Sequence, residues 1–491
     1  MSGKSGEAAL ADHWLFVLLL ALLAWVPLPW ASRSMIAQAG LATASCTLLA
    51  LWLMLAIAGK IGVPRGHGRS LATGMLLWAP WLLWLGFQLV PLHCVLLAEL
   101  SPRALEMHRA AAQAFSENTS GCIAAPLSIA PGETALQLLL SGGYFAVYLL
   151  VILIVGTRER VKLMLWTLVL SGLFQALYGM HMSITGLEYG FFEKKTYGLG
   201  VATGTFVNRD HYAAYLELTL AAGIALVLAD LGRWRLGHVA DFIADLINLV
   251  FSAKFRARIA VVAMVAALVM TRSRMGNVAM FAGLASTGVL YTLLRYRRWF
   301  IPSLLLFASL LAVDLLVVSN WYGIGAVVER IEQTDLQTES RLLVLKDLEP
   351  VVADYLWTGA GMGSFAQAYA PYRDEDIRAY FDHAHNEYAE FQIETGIVGI
   401  ALLGLMLFAH LWHGVRVMLN RRTPVYAAAA FASIMAMLTM MAHGWAEFML
   451  RTPAVAATLV ALMGLGMSVP SRSPRRRRSD EPGDEPAEAA A

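Results

Sequence analysis

Apolar runs recur along the chain at 14–30, 35–59, 71–92, 134–156, 163–184, 212–231, 259–271, 276–294, 300–318, 395–412, 425–441 and 454–467. Most have the length of about 17–25 residues that a helix needs to cross the hydrocarbon core of a bilayer, and none alternates with the period of two that marks a membrane barrel. With 58% hydrophobic and 15% charged residues, against about 25% charge in a soluble protein, the chain reads as an all-α polytopic membrane protein of about twelve spans. Binding to nucleic acid is not expected, because the Lys and Arg residues balance the acids to a net charge of only +2 and fall between the apolar runs. The first run has the look of a signal peptide with Ala31 after it, yet so many further spans favour an uncleaved first helix.

Alternate connections carry the cations. Lys60/Arg65/Arg69, Arg158/Arg160/Lys162, Arg233/Arg235/Lys254/Arg256/Arg258, Arg295/Arg297/Arg298, Arg416/Arg421/Arg422 and Arg472 with Arg475–Arg478 all fall on one side, which the positive-inside rule makes cytoplasmic together with both termini. The remaining connections, 93–133, 185–211, 271–275, 320–394 and 442–453, then face outward. The short run 259–271 is the weak point of that parity. If it did not cross, Arg295–Arg298 and Arg416–Arg422 would lie outside, against the charge bias. The expected organisation is therefore a cytoplasmic N-terminus (1–13), spans one to nine (14–319), an outer catalytic loop (320–394), spans ten to twelve (395–470) and a disordered cytoplasmic tail (471–491). Residues 237–255 have the spacing of an amphipathic helix on the inner surface. Cys94 and Cys122 share an outer connection and are a possible disulfide in an oxidising compartment, whereas Cys46 lies within a span.

Polar groups at span ends are costly unless paired or working. Five such groups fall on the outer side: Gly204 to His211, Thr271 to Arg274, Ser340-Arg341, His383/His385-Asn386, and His443 to Glu447. Interface anchoring is the plainer explanation for Arg272 or Arg451 taken singly. Arg209, Arg274 and Arg341 come from three separated segments, and their planar guanidinium groups suit bidentate phosphate recognition. The densest stretch is 382–400, where Asp382-His383-Ala384-His385-Asn386-Glu387 runs into a small-residue helix start at Gly396 and Gly399. His383 reads as a surface or capping residue. Gly359-Ala360-Gly361-Met362-Gly363 has no following Lys-Ser/Thr and no preceding strand, so it reads as a tight loop rather than a phosphate loop. The histidines lack metal-ligand spacing with Cys or paired carboxylates, and neither a metal nor a cofactor is expected.

His385-Asn386 followed nine residues later by Gly396-Ile397-Val398-Gly399, inside the largest outer loop, resembles the O-antigen ligase and polymerase family of membrane glycosyltransferases. Ser273-Arg274 opening a span, Ser340-Arg341 ahead of Gly359 to Phe365, and His443 with Glu447-Phe448 before Pro453 are similar to further family patterns. The resemblance covers roughly 203–453 and leaves the N-terminal spans generic. It implies a GT-C-like fold in the bacterial inner membrane. It also implies transfer of a glycan from an undecaprenyl diphosphate carrier to an acceptor hydroxyl, at the periplasmic face and without a metal, with a glycolipid or glycan as acceptor and membrane lipids as surroundings.

The residues suit such chemistry on their own terms. A diphosphate leaving group needs cationic donors and a base near the acceptor hydroxyl. Histidine titrates in the range of such a base. His385 is that base in this reading; Arg274, Arg341 and Arg209 hold the diphosphate, Asn386 orients His385 or the acceptor, and His211, His443 and Glu447 line the site. Ligase, polymerase and protein O-oligosaccharyltransferase remain open, as do a lipid-linked glycan transporter and a scaffold, and the sequence is silent on oligomeric state.

Overall fold

The computed structural model describes residues 2–64, 66–114, 124–190, 193–195, 198–230, 253–295, 340–373 and 381–471. Ten helices pass through the bundle: α1 (Ser2–Trp25), α2 (Met35–Ile57), α3 (Gly68–Phe87), α6 (Pro131–Ile154), α7 (Arg158–Thr185), α8 (Arg209–Asp230), α9 (Ala253–Met270), α10 (Arg274–Arg295), α13 (Glu387–Asn420) and α14 (Pro424–His443), and α15 (Pro453–Ser468) completes it. Short helices α4 (Cys94–Leu100), α5 (Pro102–Ala114), α11 (Ser340–Asp354) and α12 (Phe365–Tyr369) lie in the connections. Eleven of the twelve apolar runs thus coincide with helices among the described residues, and eight of these helices are long and apolar enough to cross a membrane by length and composition. The run 300–318 and the amphipathic stretch 237–255 lie outside the described residues, apart from the opening of α9. The chain is an all-α multi-pass membrane protein, with a two-residue antiparallel ladder at Tyr189–Gly190 and Glu193–Lys194 as its sheet among the described residues.

Small residues set the helix crossings, as expected where lipid supplies no hydrophobic drive and close backbone approach replaces it. A Cβ on Gly143 would lie 2.9 Å from the Ala42 Cα, so α6 meets α2 backbone to backbone. α14 is the central helix. Its Ala427, Ala428, Ala429, Ala430, Ala432 and Ala436 are all buried, and it packs on α8, α10, α13 and α15.

The ends of the bundle are fixed by their contacts. At one end Arg160 reaches Asp12 at 2.5 Å and the Ile154 carbonyl, while Arg295 donates to the carbonyls of Met418 and Arg421. The last contact brings the C-termini of α10 and α13 together, so these helices run in the same direction. At the other end the connections 26–34, 88–130, 186–208, 271–273, 355–386 and 444–452 knit to one another. Trp30 Nε1 donates to Gly190 O, Thr205 Oγ1 to Pro27 O, and Gln88 Nε2 to the carbonyls of Thr358 and Glu394. Every described residue singled out from the sequence as a site candidate lies at this second end.

The described part of the 320–394 loop has a small core of its own, formed by Leu348, Val351, Tyr355, Phe365, Tyr369, Ala384 and Ile393. It is clamped onto α13 through a break in that helix. Gly396 takes φ 64 and ψ −174, a region open essentially to glycine alone. Ile397 N donates to Leu356 O, and Gly361 N donates to Glu394 O. A Cβ on Gly396 would stand 2.3 Å from the Trp357 carbonyl oxygen, and one on Gly359 2.3 Å from that of Glu394. The glycine-rich segment 359–363 is thus a backbone clamp, and the Gly-spaced start seen in the sequence marks the hinge that turns Glu387 to Thr395 away from the long apolar part of α13. Gly396→Ala is expected to destabilise by about 2–6 kcal/mol, from backbone strain of ~1–3 and overpacking of ~1–3. Gly404→Ala, with open space around its helical position, is expected to leave the melting temperature in detergent unchanged or slightly raised.

Candidate active site

Helix starts supply the frame. Asn208, Ser273 and Asn386 stand ahead of α8, α10 and α13 and accept backbone N–H bonds: Asp210 N to Asn208 Oδ1 at 2.7 Å, Gly276 N to Ser273 Oγ at 3.1 Å, Ala389 N to Asn386 Oδ1 at 3.0 Å. The Ser-Arg and Asn-Arg pairs therefore have a local cause, a capping residue followed by the first helical residue. Arg209 and Arg274 are those first residues, and both are exposed. A cation beside the positive end of a helix is electrostatically unfavourable, and the same end favours an anion. Arg209 is only loosely answered, with Nε 3.9 Å from Asp210. Arg341 is the second residue of α11, and its side chain lies outside the described residues.

His385 sits in the turn before α13 with φ +50. For a residue with a Cβ that conformation costs about 1–3 kcal/mol and persists only where the surroundings hold it. They do so here. Asn386 caps α13 and donates from Nδ2 to Trp445 O at 3.1 Å, Glu387 N donates to Gly444 O at 2.9 Å, and Tyr388 OH donates to Met441 O at 2.7 Å. The His385 turn is thereby fastened to the α14–α15 connection. Asn386 acts on His385 through the backbone.

That connection brings Glu447. Its carboxylate lies 3.2 Å from His385 Nδ1, with the histidine side chain 21% exposed and the glutamate 1%. A carboxylate at that distance favours the tautomer with the hydrogen on Nδ1, and in that tautomer Nε2 carries the lone pair. Nε2 makes no hydrogen bond among the described residues. Glu447, expected as a site-lining group, is buried with its carboxylate against His385.

Phe448 is the ring around which three histidines gather. His383 stacks on it at 4.0 Å and 17°, His385 meets it edge-on at 4.9 Å, and His211 at 4.8 Å and 86°. His383, read from sequence as a surface or capping residue, holds Glu390 from Nδ1 at 2.8 Å. His211 is buried on the first turn of α8 with Nδ1 2.7 Å from Thr452 Oγ1. His443 is more remote: fully buried at the end of α14, it stands 2.9 Å from Glu217 on α8 in an ion-pair contact.

Arg451, read from sequence as an interface anchor, is buried instead. Its guanidinium reaches Glu390 at 2.9 Å and Glu394, and lies over the Phe391 ring. Burial works against its charge, but the Glu394, Glu390 and Glu387 carboxylates more than offset that, so its pKa stands above the ordinary guanidinium value. Glu387, Glu390 and Glu394 stand three and four residues apart and share one face of α13, a spacing present in the sequence that the sequence reading did not use. Cys94 is disulfide-bonded and Cys46 is a free thiol; Cys122 lies outside the described residues. Among the described residues no group of three or more His, Cys, Asp or Glu has the arrangement to hold a metal ion.

One end of a helical membrane bundle thus presents a carboxylate-held histidine, helix starts bearing arginines, and the Gly396 hinge behind them. Residues 259–404 match the O-antigen ligase family model. No curated protein matches the chain. The match supports the family resemblance noted in the sequence and covers less than a third of the chain. The matched segment holds Arg274, Arg341, His383, His385, Glu390 and Gly396. His211, Glu447, Phe448 and Arg451 lie outside it and are joined to the His383, His385 and Glu390 cluster by the contacts above, and Arg209 lies outside it at the start of α8.

Removing one partner of a buried charge cluster strands the others, at a cost of about 3–5 kcal/mol. Arg451→Met is expected to lower the stability of the purified protein by that amount in a thermal or denaturant melt.

Proposed function

We propose that the chain is a membrane glycosyltransferase that moves a glycan from an undecaprenyl diphosphate carrier to an acceptor hydroxyl, with His385 as general base. The observation that carries this reading is the His385–Glu447 contact of 3.2 Å: a carboxylate that fixes one ring nitrogen prepares the other to accept a proton. In the transfer step the acceptor O–H gives its proton to His385 Nε2 while its oxygen forms a bond to the anomeric carbon. The bond from that carbon to the diphosphate oxygen breaks, and the charge left on the diphosphate is met by the guanidinium groups of Arg209, Arg274 and Arg341 and by the helix starts that bear the first two. His211, on the first turn of α8 beside Phe448, supplies a further polar contact. His443, buried against Glu217, holds α14 to α8 beneath the site.

The alternating Lys and Arg connections support a periplasmic site in the bacterial inner membrane, with both termini cytoplasmic. The acceptor, whether a lipid-linked core sugar, a growing chain or a protein hydroxyl, is to be identified by which product forms when the purified protein meets a lipid-linked donor and each acceptor in turn. A transporter would place its working charges near mid-span, whereas here they gather at one end.

His385→Ala is expected to lower single-turnover transfer by about 10²–10⁴-fold, the usual contribution of acid–base catalysis, while donor binding is kept. His383→Gln, which can still donate to Glu390, is expected to retain most of the transfer rate. Near-normal transfer by His385→Ala removes the base assignment, and a parallel loss of donor affinity turns His385 into a diphosphate ligand. A reporter fused after Arg341 is expected to read as periplasmic; a cytoplasmic reading contradicts both orientation and mechanism.

A further inference from the structure

The connection between α1 and α2 contains three successive non-glycine residues in the left-handed region: Trp30 (φ 53), Ala31 (φ 56) and Ser32 (φ 59). Each costs about 1–2 kcal/mol relative to right-handed backbone, so a run of three persists only where other bonds over-determine it. Those bonds are present. Ser32 Oγ donates to Val26 O at 2.6 Å, Ser32 N to Pro29 O at 2.8 Å, and Trp30 Nε1 to Gly190 O at 3.0 Å. Thr205 Oγ1 donates to Pro27 O at 2.5 Å, which ties the base of the turn to the residues just ahead of α8.

The turn delivers Arg33, whose Nη2 lies 3.8 Å from the Asp382 carboxylate with the two side chains 47% and 52% exposed. Asp382 is itself 4.0 Å from His383 Nε2, and Arg33 is within electrostatic reach of His211. An arginine from the first connection thus stands at the rim of the histidine cluster, on the side of the bundle that the charge bias leaves poor in cations. A half-exposed pair at that separation is worth only about 0–1 kcal/mol, too little to explain why a strained backbone is kept to make it.

We infer that Arg33 is a binding residue for the diphosphate of the lipid-linked donor, held by Asp382 while the site is empty and released from it when the anion arrives. This rests on the donor proposed above, and it places part of the site in the N-terminal spans, outside the matched segment. A guanidinium on a rigid turn is oriented before the ligand comes, which reduces the ordering cost of binding. Asp382 keeps it away from competing anions at small cost.

The test is equilibrium binding of undecaprenyl diphosphate to the full-length protein in phosphatidylcholine nanodiscs, with phosphatidylglycerol titrated in a parallel arm. Arg33→Ala is expected to weaken undecaprenyl diphosphate binding about tenfold, the loss of one charge-assisted contact. Asp382→Asn is expected to tighten it up to about fivefold by removing the competing pair. Phosphatidylglycerol binding is expected to be the same in wild type and Arg33→Ala. Equal weakening by Arg33→Ala and Asp382→Asn, with no further loss in the double variant, makes the pair structural and overturns the inference. So does a loss of phosphatidylglycerol binding as large as the loss of undecaprenyl diphosphate binding, which makes Arg33 a general headgroup anchor. Should Arg33→Ala not fold, the sign of the Asp382→Asn effect still decides. A wild-type protein that does not bind undecaprenyl diphosphate removes the donor proposal itself, whereas wild-type affinity in Arg33→Ala removes only the role of Arg33.

Discussion

The site depends on a buried charge, that of Arg451. A guanidinium with little access to water is tolerable only if carboxylates answer it, and Glu390 and Glu394 do so from one face of α13. Their geometry fixes two things together. Arg451 belongs to the α14–α15 connection and the glutamates to the first turns of α13, so the ion cluster sets the distance between these two elements. Glu390 also accepts from Ala384 N and pairs with His383, and Glu394 accepts from Phe365 N, so the same carboxylates hold the His385 turn and the small domain above it. The Gly396 hinge then allows this packed end to meet α13 at an angle that a continuous helix would not provide.

Once these elements are fixed, the contact between His385 and Glu447 follows. The two residues are 62 positions apart in sequence, and neither the αL conformation of His385 nor the burial of Glu447 is stable alone. Strain at His385, Arg272 and Trp30 to Ser32 all falls at this one end of the bundle, where hydrogen-bonded loops rather than helix packing determine the backbone. The far end, by contrast, is held by arginines on helix-terminal carbonyls, an arrangement that needs no unusual backbone.

Much of the frame was legible in the sequence, because bilayer thickness imposes a length on each apolar run and the runs could be read one at a time. The arginines at helix starts and His385 were legible as well, since polar groups at span ends stand out against apolar composition. Pairings were not. The burial of the Glu447 carboxylate against a histidine from another segment leaves no local trace, and Arg451 was read as an anchor because its partners lie on α13. The spacing of Glu387, Glu390 and Glu394 did carry the signal of a single acidic face. Arg33 was passed over because the N-terminal spans look generic. Its signal was that it is an arginine at a span end on the same side as Arg209, Arg274 and Arg341.

In the proposed reaction Glu447 acts through His385 and does not itself touch the substrate. A double-mutant cycle on single-turnover transfer tests it most directly, with His385→Ala, Glu447→Gln and the double variant compared at saturating donor, because residues that act as one unit are strongly non-additive. Glu447→Gln is expected to slow transfer in the presence of His385 and to have no further effect once His385 is alanine. If the two losses instead multiply in the double variant, Glu447 acts on its own account and the carboxylate-held base is wrong.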